Sequence, residues 1–466
     1  MVEKIRKSLR DSKTARWTAL AIVAFTMLCG YYLTDVMAPL KGLLENQLEW
    51  NSNEYGFFTS AYGWFNVFLF MLIIGGIILD KMGIRFTGIM ATSIMVIGAS
   101  LKYYAISTHS LDGITWHILW FDAKAQVMLA ALGYAIFGVG VEVAGITVSK
   151  TIVKWFKGKE MALAMGLEMA TARIGTALAL ATSVPIANSL GHVSKPILMA
   201  LIMLCIGLIG FIVYVFMDVK LDKENAEFNK ENNIVDEEEA FRISDIFKII
   251  TNKGWWYIAL LCVLFYSAVF PFLKYATDLM VQKFNVDQEW AGIIPAMLPF
   301  GTILLTPFFG NLYDRKGKGA TIMMIGSILL IFVHSMFAIP FINHWLIAIV
   351  LIIILGIGFS LVPSAMWPSV PKIIPENQLG SAYSLIFWVQ NWGLMGVPAL
   401  IGWVLDKYCV IGYRALPDGK AVAMYDYTLP MVIFTSFSVL ALIFAFLLKA
   451  EDKKKGYGLE LPNIKK

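Results

Sequence analysis

Twelve apolar stretches of about 20 residues or more constrain the fold of this chain more than any other feature. A helix that crosses a bilayer needs about 20 mostly apolar residues. Only 15% of the 466 residues are charged and the mean hydropathy is +0.69, which favours lipid as the solvent. The sequence predicts an all-α polytopic membrane protein with spans at 17–40, 55–79, 86–106, 126–149, 160–189, 194–217, 255–281, 288–311, 319–340, 344–370, 378–406 and 428–449.

One long polar segment, residues 218–254, divides the twelve spans into two sets of six. Its charged stretch, KLDKENAEFNKENNIVDEEEAFRIS, is typical of a linker and leaves room for a short surface helix. We therefore predict an N-terminal six-helix bundle at 1–217, a cytoplasmic linker at 218–254, and a C-terminal six-helix bundle with a short cytoplasmic tail at 255–466.

The distribution of Lys and Arg predicts the orientation in the membrane, because loops facing the cytoplasm carry an excess of these residues. With the N-terminus placed in the cytoplasm, the inward-facing segments hold 28 Lys and Arg and the outward loops hold six. Both termini and the linker are therefore predicted to be cytoplasmic.

A short motif occurs once in each half, after the second span of that half. Equivalent positions of the two copies are all 234 residues apart, and two copies in the same register are not expected by chance. Glycine permits close helix approach and tight turns, and aspartate accepts hydrogen bonds from helix N-termini or basic side chains. We predict that these residues form a cytoplasmic gate: Gly76, Asp80, Lys81, Gly83 and Arg85, with Gly310, Asp314, Arg315 and Gly317.

This duplicated G-x-x-x-D-[RK]-x-G motif resembles the signature of the major facilitator superfamily. The resemblance implies twelve helices in two six-helix bundles and transport by alternating access. It also implies that the substrate binds near the middle of the membrane, between the two halves.

Ionisable groups within a membrane span are costly, so they are candidates for function. The basic turn near residue 155 lies 13 residues after Glu142 and 18 before Arg173, which places both side chains about midway through the bilayer. Two roles stay open from spacing alone. The pair forms an internal ion pair, or Arg173 binds the carboxylate and Glu142 the ammonium of a zwitterion.

Further polar and aromatic residues in the spans are weaker candidates. Asp35, one turn after Tyr31, is either a ligand for cationic groups or a solvated residue near the outer mouth. Lys274 and Asp278 are spaced to satisfy one another. Three prolines around Trp367 predict a kinked or broken gating helix. The remaining pocket candidates are Tyr62, Gln390 and Asn391.

Longer strings resemble one branch of that superfamily, the lysosomal dipeptide uniporters. They include WFKGKE at 155–160, Phe270-Pro271-Phe272, and PENQLGSAY at 375–383. The resemblance implies facilitative transport of dipeptides, preferably with basic side chains. It also implies that Glu142 and Arg173 hold the two peptide termini and that Asp35 matches an aspartate of the family. Lys274 departs from the family and weakens any preference for cationic side chains.

The expected protein is a monomeric uniporter of dipeptides or small zwitterions that contacts the lipid bilayer and binds neither nucleic acid nor a cofactor or metal. Without an N-terminal dileucine signal or an N-x-[ST] site, a bacterial inner membrane is favoured over a lysosomal one. One alternative is a proton-coupled symporter of small organic anions, using Arg173 and Lys274 for the anion and Glu142 or Asp35 for the proton. A second is a receptor that does not transport. An enzyme is not expected, because no nucleophile–base motif or phosphate loop is recognisable.

Overall fold

The computed structural model of this chain describes residues 12–118, 121–156, 159–232, 243–375, 378–416 and 421–463. Helices dominate these residues, and two short antiparallel hairpins accompany them. The elements of the N-terminal half are α1 (Lys13–Asp35), α2 (Lys41–Leu48), α3 (Ser52–Ser60), α4 (Trp64–Phe68), α5 (Met71–Ser107), β1 (Thr115–Ile118), β2 (Phe121–Lys124), α6 (Ala125–Phe156), α7 (Met161–Ser189) and α8 (Ser194–Asn232).

The C-terminal half repeats this arrangement, with its hairpin before the last helix instead of between the third and fourth spans. In strand pairing, Thr115 lies opposite Lys124 in the first hairpin and Val410 opposite Tyr425 in the second. The elements are α9 (Ile243–Ile250), α10 (Lys253–Ser267), α11 (Phe270–Phe284), α12 (Ile293–Lys316), α13 (Gly319–Ala338), α14 (Trp345–Ile373), α15 (Leu379–Tyr408), β3 (Val410–Ala415), β4 (Ala421–Tyr425) and α16 (Thr428–Lys455).

The helical content and span lengths confirm the predicted all-α polytopic fold. Eleven helical segments of the described residues are long and apolar enough to cross a membrane. The predicted second span, 55–79, is not one continuous helix: it comprises α3, a 3-10 turn, α4 and the start of α5. Phe70 precedes α5 with a φ of 53°, and Gly83 inside α5 has a φ of 78°. Helix α5 therefore contains the end of the second predicted span and all of the third.

The break after α4 is stabilised by the other half of the molecule. A continuous helix would direct the Met71 amide to the Val67 carbonyl. Instead, the indole Nε1 of Trp388 in α15 donates to the Val67 carbonyl at 3.1 Å. The side chain of Phe70 stacks on Trp388 with ring centroids 5.3 Å apart. The irregular backbone is thus accommodated where protein, rather than lipid, supplies a hydrogen bond.

Prolines act differently in two spans of the C-terminal half. The seventh predicted span is divided into α10 and α11, and Pro271 lies in the first turn of α11, where proline is tolerated. The prediction that the prolines of α14 break that helix is wrong, since Trp345–Ile373 is one helix, whereas a kink at these prolines stays a prediction. Pro371 removes the amide that would bond to the Trp367 carbonyl, and the Tyr383 hydroxyl donates to that carbonyl at 3.1 Å.

The helix of the sixth span is longer than predicted. Helix α8 continues past residue 217 to Asn232. Asp218, predicted to lie in the linker, is buried and accepts a hydrogen bond from Lys154 at 2.8 Å. The middle of the linker lies outside the described residues, which resume with the short helix α9.

The two halves contact one another closely at one end. We call the end carrying the two hairpins the outer side, and the end carrying Gly83, Gly317 and the end of α16, predicted to be cytoplasmic, the inner side. At the outer ends of α3 and α15, a Cβ on Gly56 would lie 2.8 Å from the Gly402 Cα. At the inner ends, a Cβ on Gly166 of α7 or Gly310 of α12 would meet no described atom within 4 Å. The structure is therefore closed on the outer side.

Candidate functional site

Glu142 lies in the middle of α6, where the carboxylate accepts a hydrogen bond from the Tyr62 hydroxyl at 2.7 Å. Tyr62 belongs to the 3-10 turn between α3 and α4, so the break in the second span positions this hydroxyl. Gly138, one turn before Glu142, permits the approach, because a Cβ there would lie 2.2 Å from the Tyr62 carbonyl. The Asn391 side chain also lies close to the carboxylate. Glu142 itself is half-buried.

Arg173 lies on α7 and faces the C-terminal half. Its guanidinium carbon is 5.5 Å from the ring centroid of Phe270 and 5.1 Å from that of Phe359. Within the described residues, no carboxylate oxygen forms an ion pair with Arg173, although Glu168 interacts with it electrostatically at longer range. Two aromatic faces thus hold the guanidinium while its edge donors remain available for a planar anion.

The two central charges do not form the internal ion pair that was one of the two predicted roles. Glu142 bonds to Tyr62, and Arg173 packs on rings of the other half. Both groups nevertheless lie within electrostatic range of the Tyr31 hydroxyl on α1. An acidic and a basic group therefore lie in the vicinity of one tyrosine without pairing with each other.

Asp35 and Lys274 form an ion pair between the two halves at the outer end of this space. Lys274 Nζ lies 2.6 Å from Asp35 Oδ1 and donates to the Thr34 carbonyl at 2.7 Å. Thr176 donates to the other Asp35 oxygen at 2.8 Å. Asp35 is therefore buried and not solvated at the outer mouth, and the predicted pairing of Lys274 with Asp278 is wrong.

Asp278 pairs instead with Lys41, which the sequence placed in an outer loop. Lys41 is the first residue of α2, is 1% exposed, and lies 2.9 Å from Asp278 Oδ2 and 2.6 Å from Glu45 Oε1. The Tyr427 hydroxyl donates to the same Asp278 oxygen. The one available sequence signal was the four-residue spacing of Lys41 and Glu45.

Lys102 is a second buried lysine that the sequence did not single out as a candidate. Its ammonium donates to the Leu33 carbonyl at 3.2 Å and lies 4.8 Å from the ring centroid of Tyr134. The Tyr134 hydroxyl in turn donates to the Thr34 carbonyl at 2.7 Å. Lys102 and Lys274 therefore both lie beside Tyr134, and Lys274 also pairs with Asp35.

The remaining pocket candidates belong to the C-terminal half and differ in their surroundings. Trp367 is half-buried and its Nε1 donates to the Tyr266 hydroxyl at 3.2 Å. Gln390 accepts a weak bond from Cys262 Sγ at 3.6 Å, which directs its amide towards α10. Asn391 is buried, and its amide donates to the Phe387 carbonyl at 3.0 Å. Asn391 also lies beside the Glu142 carboxylate.

The duplicated motif makes different contacts in the two halves. Asp80 accepts a hydrogen bond from Lys150 at 3.1 Å, whereas Asp314 accepts one at 2.8 Å from Asn463 of the C-terminal tail. Arg85 lies 3.2 Å from Asp222. Both turn glycines adopt the positive φ that glycine favours, and their φ values are 78° for Gly83 and 69° for Gly317.

Close helix approach at the first glycine of each motif is not observed. A Cβ on Gly76 or Gly310 would meet no described atom within 4 Å. Lys81 and Arg315 are exposed and form no ion pair within the described residues. In this outer-closed arrangement, the first glycine of each motif therefore has no close helix neighbour among the described residues.

The fold and the central site define a class of protein, and comparison with known proteins agrees with it. The profile of the Major Facilitator Superfamily matches residues 20–398. The chain belongs to this superfamily of membrane transporters, so it is a transporter and not an enzyme. Among solved structures, the peptide transporter POT has a TM-score of 0.68 at 12% identity, covering 96% of this chain and 95% of that one. This likeness supports the fold.

The similar proteins include lysosomal dipeptide transporters named MFSD1 from several vertebrates. The mouse (Mus musculus) protein is 27% identical over 404 residues, which are 84% of this chain and 80% of that protein. The zebrafish (Danio rerio) protein is 27% identical over 456 residues, which are 96% of this chain and 89% of that protein. The predicted resemblance to this branch is confirmed, and the chain is a multi-pass membrane transporter similar to these proteins.

Proposed function

We propose that this chain transports dipeptides across a membrane by alternating access, as a facilitative uniporter. The observation that carries the proposal is the separation of Glu142 from Arg173. Tyr62 holds the first and two aromatic rings hold the second, and neither forms an ion pair with a described residue within 4 Å. An internal ion pair would have neutralised both charges, whereas this arrangement leaves them available for a zwitterion.

In the proposed complex, Arg173 binds the peptide carboxylate and Glu142 binds the terminal ammonium. A planar guanidinium held by two rings is suited to a bidentate bond with a carboxylate. The Tyr62 hydroxyl donates one hydrogen bond to the Glu142 carboxylate and so fixes the orientation of that carboxylate for the ammonium. The names of the relatives support dipeptides as the substrate class. We also propose that the duplicated motif gates the cytoplasmic side and that the protein lies in a bacterial inner membrane.

The alternative of a proton-coupled anion symporter is less well supported by the geometry. That mechanism used Arg173 and Lys274 together for the anion. The Lys274 ammonium is engaged by Asp35 and the Thr34 carbonyl, so it is not directed to an anion beside Arg173.

The test is dipeptide uptake into proteoliposomes that contain the purified protein. We expect saturable uptake that a proton ionophore does not change, and loss of uptake for Arg173→Ala and Glu142→Gln. Glu289→Gln, which removes an exposed carboxylate, is the matched control and should keep full uptake. Unchanged uptake kinetics in Arg173→Ala would refute the site. Collapse of uptake by the ionophore would refute the uniport mechanism while leaving the substrate assignment intact.

A further inference from the structure

A second polar cluster joins the two halves on the outer side, away from the central site. Lys41 of α2 lies between two buried carboxylates, Glu45 of the same helix and Asp278 of α11. Glu45 is 6% exposed and Asp278 is 5% exposed. One buried ammonium therefore faces two buried carboxylates, which leaves one negative charge unbalanced within the cluster. An unbalanced buried charge is costly unless a further partner is present.

Three oxygens in this cluster have no hydrogen-bond partner among the described residues. They are Glu45 Oε2, Asn46 Oδ1 and Thr277 Oγ1, and all three are buried atoms. Thr277 is 2% exposed as a residue, so solvent does not satisfy its hydroxyl. Buried polar atoms in folded proteins nearly always have partners. Three such oxygens from three neighbouring side chains indicate a shared ligand.

These three side chains line the same small cavity. The cavity has a volume of about 20 Å³ and is bounded by residues of both halves. A volume of this size holds one body about as large as a water molecule. Asp278 and Gln282 also line it, and Arg414 lies at its rim with an exposed side chain whose charge is screened by solvent.

We propose that this cavity binds one monovalent metal cation of about the size of sodium. The Glu45 carboxylate, the Asn46 amide and the Thr277 hydroxyl supply the oxygen ligands that hard cations prefer. One positive charge balances the negative charge that the single ammonium of Lys41 leaves uncompensated. The volume of the cavity fits one whole ion. The carboxylate, amide and hydroxyl oxygens can all coordinate such an ion through their lone pairs.

The location of the cavity gives the cation a mechanical consequence. Glu45 and Asn46 belong to the N-terminal half and Thr277 belongs to the C-terminal half. The complete ligand set exists only while the halves meet on the outer side. A ligand shifts an equilibrium towards the state that it binds more tightly, so the cation stabilises the outer-closed state. This inference does not depend on which substrate the central site binds.

The experiment is thermal unfolding of the purified full-length protein in detergent, in NaCl, KCl or LiCl, with choline chloride at equal ionic strength as the reference. A cation that binds the folded state raises the melting temperature with a saturable dependence on its concentration. We expect one alkali cation to produce this rise. Thr277→Val, which keeps the shape and all charges, should raise the half-saturating concentration about tenfold or more. Glu45→Gln should abolish the dependence.

The control variant is Glu289→Gln, which removes a carboxylate on the exposed surface and should keep the wild-type dependence. Equal melting temperatures in choline and in all three alkali chlorides would overturn the proposal and assign the cavity to water. A cation effect of the same size in wild type and in Thr277→Val would overturn it as well. Thr277→Val alone decides the question if Glu45→Gln does not fold.

Discussion

The ion pair between Asp35 and Lys274 should control the balance between the outer-closed and outer-open states. The two side chains are each 12% exposed and belong to different halves, so the pair exists only while the outer side is closed. Removing one partner of a buried pair costs about 3–5 kcal/mol because the other charge stays buried and unpaired. The partial exposure favours the lower value. When the outer side opens, water hydrates the remaining charge, and the cost of burying it unpaired is avoided.

A cost of about 3 kcal/mol corresponds to roughly a hundredfold shift in the equilibrium between the two states. We expect Lys274→Met and Asp35→Asn each to favour the outer-open state by about this factor. In the double variant, the equilibrium between the two states should return most of the way to the wild-type value, because no unpaired charge is buried. This pattern is a double-mutant cycle with a coupling energy of several kcal/mol.

The assay is the distance between spin labels on the two outer loops, at His109 in the N-terminal half and Tyr413 in the C-terminal half. The His109 side chain is 89% exposed and Tyr413 is 70% exposed, so labels there disturb little. The four native cysteines are first replaced. The single variants should show a new, longer distance that the double variant loses. Identical distance distributions in all four proteins would refute the reasoning.

Two further predictions concern helix packing. Gly402→Val should impair outer closure and transport, because even a Cβ at this position would lie 2.4 Å from the Ser52 carbonyl. The control Gly396→Val should transport normally, because no described atom lies within 4 Å of a Cβ at that position. Equal uptake by both variants would contradict this prediction. Tyr383→Phe should lower the free energy of unfolding by about 1–3 kcal/mol, because the Trp367 carbonyl loses the hydroxyl donor that replaces the missing amide of Pro371. An unchanged melting temperature would contradict this prediction.

The fold was predictable because span length and apolar content depend on the bilayer and not on tertiary detail. The breaks within the spans were not predictable in the same way. The second span breaks where Trp388 of the other half supplies a hydrogen bond, and Pro371 of α14 is accommodated because Tyr383 donates to the Trp367 carbonyl. Such compensation comes from residues more than ten positions away in sequence, so the local sequence pattern does not reveal it.

The candidate site was predictable in part, for a related reason. Charged residues in apolar spans identify Glu142 and Arg173 directly, because their cost in lipid singles them out. Their partners come from other helices, and spacing along one helix gave the wrong partner for Lys274. Lys41 was missed because it follows the apolar stretch and reads as a loop residue, although it is buried between the halves.

The most direct test of the central claim pairs each terminus of the ligand with its proposed residue. Thermal stabilisation of the purified protein would be measured with a free dipeptide, an N-acetylated dipeptide and a C-amidated dipeptide. We expect the free dipeptide to stabilise the wild type and both blocked forms to lose most of the effect. In Glu142→Gln acetylation should cause no further loss, and in Arg173→Ala amidation should cause none. Equal stabilisation of the wild type by all three ligands would contradict the account.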